Sequence, residues 1–227
     1  MKPTIKQKWN KLRQDMEPMT FREKLDHLWT YYYWVLIVLA LAVMIVCIVV
    51  SSARRLSMDV LIAGVFVNAD VGLDGRSYLD EQYFEKYGGN AEKQRIELTD
   101  IIFQDLSVTE DVGYSYNATL RLMAMLSAQE VDYIILDKIG LEYYLGQDIF
   151  VDLSELLSEE ELDRWKDDLI YLTYEEDEIT IPVAININNT AFGQKYLTSD
   201  KDHYIGFAAN TPRQEARQLL WEYLKAA

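Results

Sequence analysis

Three groups of residues have types and spacings that could do chemistry. The first starts at Asp70. Asp70, Asp74 and Glu81 fall at positions 1, 5 and 12 of a loop-length run with Gly75 at position 6, most of the spacing of a calcium-binding loop. Position 3 is Gly72, where Asp or Asn would supply a ligand, and a strand is expected just before the run, so a plain strand-to-helix loop is the simpler expectation. The second group is Asp105, Glu110 and Asp111, on a loop expected at the carboxyl edge of a sheet, where α/β folds place ligands. The third comprises the acidic runs 159–161 and 175–178, which read as solvated faces. A single Cys excludes an internal disulfide and a thiolate zinc cluster, and His27 and His203 are far apart in sequence. There is no phosphate-binding glycine motif, nucleophile elbow or triad context. No catalytic residue, metal or cofactor is expected, and the chain reads as a non-enzyme.

The elements that must position these residues fall into two parts separated by charge. The chain has 227 residues with 37 Asp+Glu against 22 Lys+Arg, a net charge of −15. Residues 1–30 carry seven Lys/Arg and four Asp/Glu (+3); residues 51–227 carry fifteen and thirty-three (−18). Nucleic-acid binding is therefore excluded for the large part, which lacks the cations that displace phosphate counterions. Between the two parts, residues 31–50 read YYYWVLIVLALAVMIVCIVV, with no charge, Gly or Pro. As a helix this stretch spans roughly 30 Å, the thickness of a bilayer core.

We expect residues 31–52 to cross the membrane, with Tyr31, Tyr32, Tyr33 and Trp34 at its interface, where amphipathic rings favour the headgroup layer. Lys11, Arg13, Arg22 and Lys24 precede the span and Arg54 and Arg55 follow it, so the positive-inside rule places residues 1–30 in the cytoplasm and 53–227 outside the cell. The apolar run and the region before it exceed those of a cleaved signal peptide, and an uncleaved anchor is the expectation. In the leader, Ile5, Trp9, Leu12 and Met16 lie at spacings of four, three and four with lysines between them. That pattern is a basic amphipathic helix, able to rest on anionic lipid or a partner, or to act only as a topogenic leader. Thr20 and Glu23 form a capping box that starts a helix near Phe21.

In the outer part, strands are expected over 58–67, 95–103 and 131–136, with helices over 77–87 and 118–129 between them. That alternation is the signature of an α/β fold with a parallel sheet. Further on come a short helix over 138–145, an extended piece over 150–153, a helix capped by Ser158, strands over 169–174, 179–187 and 204–209, and a C-terminal helix after Pro212. One domain over 53–227 accounts for them.

Residues 120–157 resemble the first lobe of type 2 extracellular solute-binding proteins. The pattern is a helix, an Asp before an apolar strand, a short helix, an aromatic and D-L-S-x-x-L, carried here by Asp132, Tyr143, Phe150, Asp152, Leu153, Ser154 and Leu157. ITIPVAIN (179–186) resembles the crossing strand of that family and FAANTPRQEARQLLWEYL (207–224) its late helix. The whole chain is similar to single-pass membrane proteins of Firmicutes with a T-F-x-E-K motif at Thr20 to Lys24. Two-lobed binding proteins carry a second lobe between crossing strands, whereas this chain has sixteen residues between Ile187 and Tyr204. The resemblance therefore implies a lobe whose partner lobe is reduced or absent.

The expectation is an accessory subunit, anchored in the bilayer, whose outer domain docks on an integral membrane protein, an ABC-type transporter being the class the resemblance implies. The alternative is a tethered receptor for a small solute, peptide or sugar. In either case Asp105, Tyr114, Tyr116, Asp137, Tyr143 and Asn186 form the candidate ligand or partner surface.

Overall fold

The computed structural model describes residues 20–102, 112–174 and 179–227, with the backbone alone for 21–28, 30–32, 56 and 112–115. Asp105, Glu110, Asp111, the 175–178 turn and the leader helix lie outside the described residues. The chain divides into two compact units between Ser57 and Met58.

The first unit holds one helix, α1 (Phe21–Leu56), starting where the Thr20 capping box places it. Its stretch Tyr33–Arg55 is long and apolar enough to cross a membrane, and none of it is buried within the protein. Val35 to Val50 present apolar side chains all round the helix, which a water-facing surface would not tolerate. The Tyr33 and Trp34 rings sit side by side, 5.2 Å between centroids. Because the helix runs through Leu56, the second unit begins at Met58, later than the 53 expected.

The second unit is a six-stranded sheet covered on both faces. Its strands are β1 (Asp59–Val67), β2 (Gln94–Ile101), β3 (Tyr133–Asp137), β4 (Leu169–Tyr174), β5 (Ile179–Asn186) and β6 (His203–Phe207), in the order β2-β1-β3-β6-β5-β4. β1 runs parallel to β2 and β3, as the alternation of strands and helices requires. The other half is antiparallel, β6 against β3 and β5 and β4 against β5, so the sheet is mixed and only its first half is the expected parallel one.

The first face carries α2 (73–87), α6 (Ala191–Tyr196) and α7 (Gln214–Lys225) over Ile62, Phe66, Ile135, Ile205 and Phe207. The second carries α3 (Val112–Ser127) and α4 (Lys138–Tyr144) over Val65, Val67, Ile134 and Leu136. The strict alternation of these two sets along β1 and β3 is the period-2 consequence of a sheet buried on both sides. A short α5 (Glu159–Arg164) begins at Ser158 with both bonds of a capping box.

α2 starts four residues before the expected Ser77 and holds a π turn over Tyr78–Gln82 between its α-helical ends. Tyr78, Leu79 and Tyr83 all reach the core. Tyr78 and Tyr223 stack at 4.2 Å, and each hydroxyl donates to the other's carbonyl, at 3.0 and 3.2 Å. This clasp joins α2 to α7, with the stacked rings worth about 0.5–1.5 kcal/mol beyond burial. Two glycines make room for rings: Gly64 faces Tyr133 across the β1–β3 pair, and Gly206 lies under Phe150. A Cβ at either position would overlap the ring.

Candidate functional site

The carboxyl ends of β1 and β3 meet the start of β6 and the end of β5, where the sequence places the candidate surface. β1 ends at Asn68, whose φ of 52° turns the chain out of the strand. Its side-chain amide donates to both oxygens of Asp137, at 3.3 and 3.4 Å. Asp137 caps α4, its Oδ1 accepting the Gly140 amide at 2.8 Å. This carboxylate is nearly buried and its oxygens are used within the fold.

His203 opens β6 and is fully buried. Its Nε2 accepts the Asp70 amide at 3.0 Å while Nδ1 faces the Lys201 carbonyl at 2.9 Å, an arrangement that assigns the proton to Nδ1 and the neutral form to the ring. The His203 amide donates to Asn188 Oδ1, and Asn188 Nδ2 donates to the Lys201 carbonyl. Asn186 is half-buried. Its Oδ1 accepts the Asn188 amide at 2.9 Å and its Nδ2 donates to Asp202.

The chain between Ile187 and His203 thus folds on the sheet itself. It forms α6, capped by Thr190, with Phe192 fully buried in the first-face core. Leu197 bridges Val71, the Thr198 amide and hydroxyl both donate to the Asp70 carbonyl at 2.8 and 2.9 Å, and the Gly72 amide donates to the Tyr196 carbonyl. These bonds sew the segment onto the β1–α2 loop at the carboxyl edge of the sheet.

The calcium-loop spacing does not close round a point. From Leu73 onward the run is helix, the Asp70 carboxylate lies 3.8 Å from Lys201, and Glu81 accepts from Ser77 at 2.8 Å. Among the described residues no group of three His, Cys, Asp or Glu is placed to hold a metal ion.

Tyr116 stands exposed on α3, and Tyr114 lies on the same helix. Tyr143 belongs to α4, where its ring packs edge-on against Tyr144 at 5.0 Å and its hydroxyl accepts from Thr119 of α3 at 3.4 Å. Tyr116 and Tyr143 therefore occupy neighbouring helices of the second face, with Leu120 and Ile139 also exposed on them. Asp137 lies at the foot of α4, and Asn186 lies two strands away across β6.

The opposite end of the sheet holds a centre that motif spacing does not reveal. Asp132 is fully buried; it accepts the Ala63 amide at 2.7 Å, the Thr211 hydroxyl, and Arg213 Nε at 2.7 and 3.0 Å. Its backbone bonds both Ala63 and Ala208, so it joins β1, β3 and the chain after β6. Arg217, also buried, donates to the Ala208 carbonyl at 2.8 Å, and burial pulls its guanidinium below its ordinary value against the opposing pull of Asp132. An open pocket of about 510 Å³ lies beside this centre, lined by Tyr83, Tyr87, Gln94, Arg213, Glu215 and Leu219 among others. Burial pushes the Tyr83 hydroxyl well above the usual range and keeps it protonated. The sequence signal for Asp132 was an acid directly before the apolar run 133–136, a costly placement unless the charge is paired.

No protein family, no curated protein and no solved structure matches the chain.

Proposed function

We propose that this protein is a membrane-anchored accessory subunit. In this reading α1 spans the bilayer with its amino end in the cytoplasm, and the α/β unit lies outside and docks on an integral membrane protein. An ABC-type transporter is the partner class implied by the resemblance to solute-binding proteins. The observation that carries the reading is the segment between β5 and β6. Where a two-lobed binder inserts a second lobe to close over solute, this chain supplies one short helix whose Phe192 enters the core and whose ends bond the β1–α2 loop. Asp70, His203, Asn186 and Asn188 are engaged within that edge. A lobe of this kind presents surfaces rather than a closing cleft. The exposed Tyr116 and Leu120, four residues apart on α3, and Ile139 on α4 offer apolar contact on the second face.

The test is purification of the full-length tagged chain from its own membranes in a mild detergent. Recovery of an integral membrane protein in fixed proportion, reduced by Tyr116→Ser with Leu120→Ser, is the expected outcome. Recovery of the chain alone, with or without a small solute, overturns it. The pocket beside Asp132 falls within the size range of small-molecule sites, so a bound solute there would move the assignment to the tethered-receptor alternative.

A further inference from the structure

The two outermost strands of the sheet are protected differently. β2 carries Arg95, Glu97 and Asp100 among its eight residues, tied as Arg95–Glu97 at 2.8 Å and as Arg76–Asp100 at 2.6 Å. Charges of this sort are how natural sheets discourage further pairing at an edge. β4, at the other edge, reads Leu-Ile-Tyr-Leu-Thr-Tyr and carries none. Its side chains fasten it inward: Leu169 belongs to the first-face core, and Ile170 and Leu172 pack on the second. The Thr173 and Thr180 hydroxyls pair across to β5 at 2.9 Å, and the Tyr174 hydroxyl donates to Asp148 at 2.9 Å. Held in this way, β4 stays paired to β5 along its length with one register shift, between Ile170 and Tyr171. About three N–H and C=O groups then face outward along it, the geometry that strand addition uses. Tyr171 is exposed beside that edge.

The surrounding charge selects the occupant. Asp167, exposed, and Asp168, bonded to Asn189, precede the strand, Lys166 before them is paired with Asp163, and Asp148 meets the strand's far end. Two copies pairing antiparallel through β4 would set Asp167 and Asp168 at the start of one strand against Asp148 at the end of the other. A partner with cations at its ends would gain from the same charges.

We propose that the outer edge of β4 accepts an extended, uncharged segment with Lys/Arg flanks from a partner protein. The proposal rests on the docking reading above and names the chemistry of the contact.

The test places a photo-activatable cross-linking residue at position 171, and separately at position 116, of the full-length chain in intact cells, and maps the captured peptides by mass spectrometry. The expected product at 171 is a partner segment rich in β-branched or aromatic residues with Lys or Arg at its ends. Asp167→Lys, an exposed position, should lower its yield about tenfold while leaving the melting temperature in place. Capture of a second copy, of lipid or of an acidic segment at 171 overturns the proposal, as does a yield that Asp167→Lys does not change. If 116 captures a membrane protein and 171 captures nothing, docking stands and the strand edge falls. If neither captures and the chain purifies alone, both fall.

Discussion

The two ends of the sheet are joined by opposite means. At the amino end a single buried carboxylate, Asp132, gathers an amide from β1 and a hydroxyl and a guanidinium from the chain after β6. At the carboxyl end the joining is shared among His203, Asn186, Asn188, the Asp70 backbone and the Asp137 carboxylate, so no single group carries it. Burying a charge makes its partners obligatory, because the remaining charge has nowhere to go; a shared network loses its members one at a time. The amino end therefore acts as a fixed joint, and the carboxyl end is where short segments can be exchanged at modest cost. The six-residue α6 occupies that end.

Substitutions ranked by expected loss sharpen this contrast. Asp132→Ala strands Arg213 and the Ala63 amide, and should destabilise the second unit by about 3–5 kcal/mol in chemical denaturation. A loss under about 1 kcal/mol would mean that Asp132 is not the joint described. His203→Ala removes a buried ring and unpairs the Asp70 amide, costing about 2–4 kcal/mol. Asp137→Ala loses a helix cap and should cost about 1 kcal/mol. Equal losses for Asp132 and Asp137 would erase the distinction between the two ends.

A smaller effect depends on pH. Burial pushes the Glu161 carboxyl up, but the Lys225 ammonium at 2.5 Å and the Ser158 amide and hydroxyl outweigh it and hold it below the usual range. Burial pulls Lys225 down, yet Glu161 and Glu222 leave it above its ordinary value. A depressed carboxylate stabilises the fold above its unfolded pKa, about 4.3, and the contribution fades as pH falls through the folded value. The raised ammonium contributes below about 10.4 and its share fades as pH climbs through the folded value. The pair's contribution should thus be constant between about pH 5 and pH 10. Glu161→Gln should flatten the acid limb by up to about 1 kcal/mol, which denaturant midpoints at pH 3 and pH 7 would register. Smallest of all, Tyr116→Ser should shift stability by no more than about 0.5 kcal/mol, since its ring is largely exposed.

Elements with strong periodicity were legible in the sequence. α1, β1, β4 and the Ser158 capping box fall where spacing and caps place them. α3 begins six residues earlier than expected, because Gly113 and Ser115 weaken the helical pattern of its first turn. β4 and β5 were legible as two strands joined by a short acidic turn, whereas the antiparallel place of β6 was hidden because it pairs with β5 across a connection whose helix is only six residues long, although Thr190 with Phe192 and Tyr196 four apart was its signal. Asp137 and Asn186 were legible as polar residues at the right edge, but not as groups already bonded there. The His203–Asp70 and Asp132–Arg213 bonds join residues 133 and 81 positions apart, which no local pattern encodes.

The most direct test of the docking account is native mass spectrometry of the full-length chain, extracted from its own membranes and released from detergent in the instrument. The expected species has the mass of this 26.5 kDa chain plus an integral membrane protein in fixed ratio, with no small solute attached. A 26.5 kDa protomer carrying a solute of a few hundred daltons, and no partner, would contradict it.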